Sequence, residues 1–403
     1  MSLIKINFKN KTGQLLSALL EQPVDGKPRA FALFAHCFTC SKNLTAVTNI
    51  SRTLNQYGIA VLRFDFTGLG ESEGDFSDSN FSSNISDLMS AYEFLDGNYE
   101  APQIIIGHSL GGAAVLAVAP QMVAVKSVVT IGAPAEPAHV KKLLISGIDE
   151  IKEKGEATVS IGGRPFKIKE QFIKDLEASD LNSILPGLKK SMLILHSPQD
   201  AIVDIDNARK IYVAAKHPKS YISLDGADHL LSKKEDSQYV GDVIAAWANR
   251  YIAKKEEQKL TTDMPVVVRT GPIGYTTEIM AGDHGFLADE PESVGGANLG
   301  PTPYDLLLAS LGTCTSMTLR MYADRKSFDL QEVKVHLQHN RVHVTDCETC
   351  ETPEAKIDQI DREIELVGNL TDEQRKRLME IADRCPVHRT LYNEIRVKTV
   401  LKT

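Results

Sequence analysis

Cysteine is scarce in this chain, tryptophan occurs once, and no apolar run is long. Six cysteines in 403 residues are too few for a disulfide framework, so a reducing cytoplasm is the expected setting. No stretch approaches the roughly 18 consecutive apolar residues that span a bilayer. The first ten residues alternate apolar and polar side chains and hold no secretory apolar core. No membrane partner is expected. Basic charge is also short: 45 Lys and Arg against 53 Asp and Glu leave a net charge of −8, which is no footprint for nucleic acid. What remains is an ordinary globular composition, 42% hydrophobic and 24% charged. The length exceeds one ordinary core and calls for at least two domains.

The clearest local signal is Ile104-Ile105-Ile106-Gly107-His108-Ser109-Leu110-Gly111-Gly112 followed by the alanine-rich 113–117. A β-branched run, a sharp turn with serine at its tip, and a helix make a nucleophile elbow, whose crowding admits only glycine two positions either side of the serine. Around it, strands at 29–35, 59–64, 125–131, 192–196 and 220–224 alternate with helices at 43–57, 82–95, 206–215 and 238–252. That alternation predicts a mostly parallel sheet with helices on both faces. It pauses over about 135–188, where a hairpin at 159–168 and a helix at 169–176 read as a cap inserted over the active-site end. Residues 1–253 form this domain, the charged run within 254–264 reads as a linker, and 265–403 make a second domain.

A serine hydroxyl attacks only when a histidine takes its proton and an acid fixes that histidine's tautomer. In this topology the chain order is serine, acid, histidine. Asp200, after the strand 192–196, is the candidate acid, with Asp204 and Asp206 as rivals that face solvent or cap the next helix. His229, after the last strand, is the candidate base. These residues resemble the α/β-hydrolase family over 1 to about 253. The resemblance implies an oxyanion hole from the amides of Leu110 and Phe38. Family members usually have glycine after the histidine of that second loop, where this chain has Cys37. Cys37 and Cys40 read as packed thiols rather than a redox pair.

The last third has its own centre. Thr302 is a plausible N-cap, with Pro303 at the first turn of a helix running to about Arg325. Leu307, Leu311, Cys314, Thr318 and Met321 share one face, which reads as buried. Thr371 to Gln374 is a capping box opening another helix to about Asp383. Cys385 then stands at the N-cap of a helix beginning at Pro386, beside Arg384, His388 and Arg389, the surroundings of a reactive thiol. Gly-Thr-Cys at 312–314, Cys-Pro-Val-His at 385–388 and strands at 266–269, 332–338, 360–367 and 395–401 resemble the OsmC/Ohr family of thiol-dependent organic hydroperoxide reductases.

By that resemblance Cys314 is the peroxidatic cysteine and Cys385 the resolving one. An external dithiol is the reductant, and the domain pairs as an intertwined homodimer or higher oligomer. The family also places an arginine and a carboxylate by the peroxidatic sulfur. Here Tyr304 stands where many members have glutamate, leaving Arg269 and Asp305 as the candidates. Cys347 and Cys350, with His343, could hold zinc, form a redox pair, or do neither. No cofactor is called for. The expectation is a two-function protein: a serine carboxylesterase for small esters and a hydroperoxide reductase. Its rival makes the second domain a non-catalytic dimerisation or binding module.

Overall fold

A computed structural model of the chain describes residues 2–24, 26–37, 39–161, 164–252, 260–272, 274–343 and 356–402. The chain divides into two compact units, Met1–Gly285 and Phe286–Thr403. The division falls after the expected linker, of which residues 254–259 lie outside the described residues. The chain just past that linker packs with unit 1. A Cβ at Gly271 would lie 2.0 Å from the Val24 carbonyl oxygen.

Unit 1 is built on an eight-stranded sheet. In chain order its first elements are β1 (Ser2–Lys9), β2 (Leu15–Gln22), β3 (Ala30–Ala35), α1 (Thr45–Gln56), β4 (Ile59–Phe64), α2 (Phe81–Asn98), β5 (Ile104–His108), α3 (Leu110–Val118) and β6 (Ser127–Ile131). A 3-10 stretch, Pro137–Gly147, then leads into α4 (Ile148–Lys154), the antiparallel hairpin β7 (Glu156–Ile161) and β8 (Arg164–Lys169), α5 (Glu170–Ala178) and α6 (Leu181–Ile184). The chain rejoins the sheet with β9 (Ser191–His196), α7 (Asp206–Ala214), β10 (Lys219–Ser223) and α8 (Lys234–Ala248). The strand order is β1-β2-β4-β3-β5-β6-β9-β10, with β2 antiparallel to its neighbours and the strands from β4 to β10 mutually parallel.

The central strands are apolar on both faces because both faces are covered, as parallel sheets require. In β3, Phe31, Leu33 and Ala35 join the core under α2, α3 and the segment between β6 and β9, while Ala30, Ala32 and Phe34 pack with α1 and α8. The same alternation runs through β5 and β9. This stack holds the carboxyl ends of β3, β5, β6, β9 and β10 side by side, the edge at which open α/β sheets carry their sites.

A separate three-stranded sheet follows, β11 (Val266–Thr270), β12 (Thr277–Ala281) and β13 (His284–Ala288). Unit 2 then adds α9 (Pro303–Lys326), the long antiparallel hairpin β14 (Asp329–His343) and β15 (Lys356–Asn369), α10 (Asp372–Ala382) and α11 (Pro386–Tyr392). Leu319, Ala323, Leu330, Leu378, Ile381 and Ala382 form its small core. The strand expected at 395–401 is absent. Those residues are irregular, with Val397 85% and Leu401 90% exposed. A strand exists through backbone pairing. Within this chain β14 and β15 pair with each other, and no described strand takes the tail.

Candidate active site

Ser109 stands at the tip of the turn between β5 and α3 with φ 56° and ψ −125°. The backbone there is so crowded that a Cβ at Gly107 would lie 2.3 Å from the Gly111 carbonyl oxygen, and one at Gly111 2.4 Å from that of His36. Only glycine fits either place. The strained turn leaves the Ser109 hydroxyl within reach of a histidine ring. Ser109 Oγ lies 2.9 Å from His229 Nε2, and His229 Nδ1 lies 2.7 Å from Asp200 Oδ2. With Nδ1–H donating to the carboxylate, Nε2 is the acceptor that faces the hydroxyl, the tautomer that proton removal needs.

Asp200 is fixed in turn. Its Oδ1 accepts the amides of Ile202 and Val203, each at 2.8 Å. Burial alone would push this carboxyl up. The hydrogen bond and charge of His229 and the two amides outweigh it and hold Asp200 below the ordinary carboxylate range. The acid and base loops are also tied together: Ser197 Oγ donates to the Ala227 carbonyl at 2.6 Å, and the Gly226 amide to Gln199 Oε1 at 2.7 Å. The rivals do other work. Asp204 accepts the Asp206 amide at 2.8 Å, and Asp206 pairs with Arg209 in the first turn of α7.

Two further histidines were invisible as site residues in the sequence. His108, beside the serine, donates from Nε2 to the His229 carbonyl at 2.7 Å, and burial, then the charge of His229, pushes its pKa down to about 3. His196 donates to the Val203 carbonyl at 2.8 Å with its ring 3.6 Å from Asp200, and burial lowers its pKa too. In both rings burial disfavours the charged form. Only spatial neighbourhood identifies such residues.

For an oxyanion, the Leu110 amide is the first of α3, a position with no intrahelical acceptor. Phe38 lies outside the described residues. Cys37 and Cys40, expected as packed thiols, are instead joined by a disulfide; the turn between them brings their Cα atoms to 5.3 Å, within bridging range.

In unit 2 both Cys314 and Cys385 are free. The buried face of α9 is Leu311, Gly312, Thr315, Leu319 and Ala323, and Cys314 is half-buried beside it. Leu307 and Met321, expected on the buried face, are 36% and 71% exposed. The hairpin and α10 pack one residue around the helix from the face that the spacing suggested. Cys385 is the N-cap of α11, as its neighbours indicated, and is fully buried. Its Sγ accepts the His388 amide at 3.3 Å and lies 3.6 Å from Thr315 Oγ1.

Thr315 in turn accepts from Arg362 at 3.0 Å, and Arg362 also donates to the Ala382 carbonyl at 3.2 Å and the Asp383 carboxylate at 2.6 Å. Thr315 Oγ1 lies between the Arg362 guanidinium, which donates to it, and the Cys385 sulfur. The residue after Cys314 thus touches Cys385. Arg362 and Thr315 were missed because a strand arginine and a helix threonine carry no local signal.

Two expected activators have other duties. Arg269 pairs with Glu278 across β11 and β12, its Nε at 3.0 Å. Asp305 closes the capping box of α9, bonded to Thr302 at 2.8 Å. Cys314 is nine positions on from Asp305, about 13 Å along a helix, too far for a contact. Tyr304 stacks on His339 with ring centroids 4.3 Å apart. Cys347, Cys350 and the side chain of His343 lie outside the described residues; among the described residues no His, Cys, Asp and Glu cluster could hold a metal.

Residues 26–153 match the family described as serine aminopeptidase, S33, and residues 295–400 match the OsmC-like protein family. The esterase domain of a Rhodothermus marinus protein superposes with a TM-score of 0.53 at 50% identity, over 63% of this chain and all of that one. The mouse mitochondrial palmitoyl-protein thioesterase ABHD10 is 29% identical over 187 residues, 44% of this chain and 62% of its own length. The uncharacterized protein YfhR of Salmonella typhimurium is 25% identical over 230 residues, 56% of this chain and 74% of its own.

Proposed function

Because the chain belongs to the α/β-hydrolase family through its first unit and carries an OsmC-like domain in its last third, we propose that it is a serine carboxylesterase of small esters. The observation that carries this is the unbroken relay Ser109–His229–Asp200 at 2.9 and 2.7 Å. His229 Nε2 takes the Ser109 proton as Oγ attacks the ester carbonyl, and the Leu110 amide, with a second donor from the loop after β3, receives the oxyanion. The imidazolium, stabilised by Asp200, then protonates the departing alcohol. Water activated by the same His229 releases the acid. The esterase and thioesterase described among the relatives support an ester or thioester carbonyl as target.

The test is a stoichiometric fluorophosphonate. It should abolish hydrolysis of 4-nitrophenyl acetate and leave one adduct, on the peptide that holds Ser109. Full hydrolysis beside a labelled Ser109 would remove the proposal.

For the OsmC-like domain we propose hydroperoxide reduction by Cys314, with Cys385 resolving. Two free thiols, with Thr315 bridging their neighbourhood, support it. The thiolate of Cys314 attacks the O–O bond, becomes sulfenic acid and releases the alcohol. Cys385 displaces water to form the disulfide, which an external dithiol reduces. The capping duty of Asp305 favours the rival, a non-catalytic module.

Cumene hydroperoxide decides between them. The reductase reading expects a Cys314–Cys385 disulfide in peptide mass spectra, and sulfinic acid at Cys314 in Cys385→Ser. An intact Cys314 thiol leaves the module reading. The exposed apolar residues of α9 and the tail, Met317, Met321, Val397 and Leu401, support pairing of two copies. Sedimentation velocity should give a dimer or larger species, and a monomer at micromolar concentration would exclude that.

A further inference from the structure

Past Ala35 at the end of β3 the chain enters a tight loop closed by the Cys37–Cys40 disulfide. The Cys40 amide donates to the Cys37 carbonyl at 3.1 Å, and Thr39 between them sits at φ 65°, in the left-handed region. This loop leans on the nucleophile elbow, since the Gly111 position touches the carbonyls of Ala35 and His36. Both ends of the loop are anchored. His36 Nδ1 donates to the Cys37 carbonyl at 2.8 Å. Lys42, 1% exposed, gives its backbone amide to Asp65 at 2.6 Å and its ammonium to Asp65 at 2.5 Å and Glu71 at 2.8 Å. Between those anchors the disulfide is the covalent restraint. Its two sulfurs are unequally covered: Cys37 is 3% exposed, while Cys40 is half-buried.

We propose that Cys37–Cys40 is a thiol–disulfide exchange site, reduced by a small external dithiol, whose oxidation state sets the turnover of Ser109. The proposal rests on the serine esterase reading. One thiolate of the dithiol attacks the Cys40 sulfur. The bond to Cys37 breaks, and Cys37 leaves as a thiolate that takes a proton from water. The second thiolate of the reductant then attacks its own sulfur in the mixed disulfide, and Cys40 leaves and is protonated in turn. Two electrons pass to the protein, the protons lost by the dithiol are regained by the two cysteines through water, and the reductant departs as a cyclic disulfide.

The consequence for catalysis is geometric. An oxyanion donor works only within about 0.2 Å of its distance to the developing charge, and loss of one costs about 10²–10³ in kcat. Without the bridge, Thr39 and Cys40 lose the covalent restraint on their backbone, while His36 and Lys42 keep their anchors. Turnover should therefore suffer while ground-state binding does not.

The experiment uses the full chain. Air-oxidised protein is compared with protein reduced by dithiothreitol under argon and desalted, and differential alkylation with mass spectrometry reads the state of Cys37 and Cys40. Reduction should lower kcat for 4-nitrophenyl acetate about tenfold with KM little changed, and reoxidation by diamide should restore it. The double variant Cys37→Ser, Cys40→Ser should sit at the reduced value and ignore redox conditions; if it does not fold, the wild-type cycle decides alone. Free thiols at both positions in aerobic protein, a pair that resists dithiothreitol, or an unchanged kcat with both thiols alkylated would each overturn the proposal. Ser109→Ala separates the two readings: retained hydrolysis there sinks the esterase, whereas its loss beside redox indifference sinks only the exchange site.

Discussion

Ser109 holds a backbone conformation that an L-residue adopts only where its surroundings impose it, and those surroundings are the glycines at 107 and 111 and the loop after β3. That Ser109, Asp200 and His229 come together was legible in the sequence, because a strained turn has a fixed composition and the topology fixes the order of its partners. His108, His196, Thr315 and Arg362 were not, since each acts through a neighbour 47 to 121 positions away or across a loop. The choice of acid gives a prediction at this scale. Asp200→Asn should lower kcat by a factor on the order of 10⁴ through the wrong His229 tautomer. Asp204→Asn and Asp206→Asn should change it less than about threefold, because their partners lie in the first turn of α7 and a surface pair contributes little. Initial-rate assays of the three variants rank them, and a large loss at Asp204 would move the acid.

Element ends were read well wherever the signal is local. Thr302, Thr371 and Cys385 cap α9, α10 and α11 through side chains three residues or fewer from the amides they serve. Faces and pairings were read less well. The buried face of α9 is set by what packs on it, and the tail 395–401 has strand composition but pairs with no strand among the described residues. The sheet of unit 1 carries a pH prediction. His36, His108 and His196 follow β3, end β5 and end β9, and burial lowers the pKa of each, to about 3 for His108. Below about 6.5 the unfolded chain protonates these rings and the folded chain does not. Unfolding therefore takes up protons, and the stability each ring contributes above pH 6.5 is lost as the pH falls toward its folded-state pKa, about 3 for His108, by at most about 1.4 kcal/mol per ring per pH unit. Urea unfolding followed by Trp247 in α8, which reports unit 1 alone, should show a lower midpoint at pH 5.0 than at 7.5. A His108→Asn variant should narrow that gap. An equal or higher midpoint at pH 5.0 would refute the burial argument.

The chain as a whole carries two separate clusters. One is the hydrogen-bonded row Ser109, His229 and Asp200 at the carboxyl edge of a parallel sheet. The other holds Cys314 in α9 and Cys385 at the cap of α11, beside a long hairpin. Length alone called for two domains, and the motifs separated them, but the division at 285–286 lies past the charged run because the chain beyond it still packs on unit 1. Among the described residues no helix is long and apolar enough to cross a membrane. The account stands on Ser109 as nucleophile of the first unit, independent of the thiols in the second. The most direct measurement is kcat for 4-nitrophenyl acetate in Ser109→Ala, with peroxide-driven thiol loss followed in the same preparation. kcat should fall by a factor on the order of 10³ or more, with thiol loss unchanged from wild type. An alanine variant that still hydrolyses the ester at more than about a tenth of the wild-type rate would contradict it.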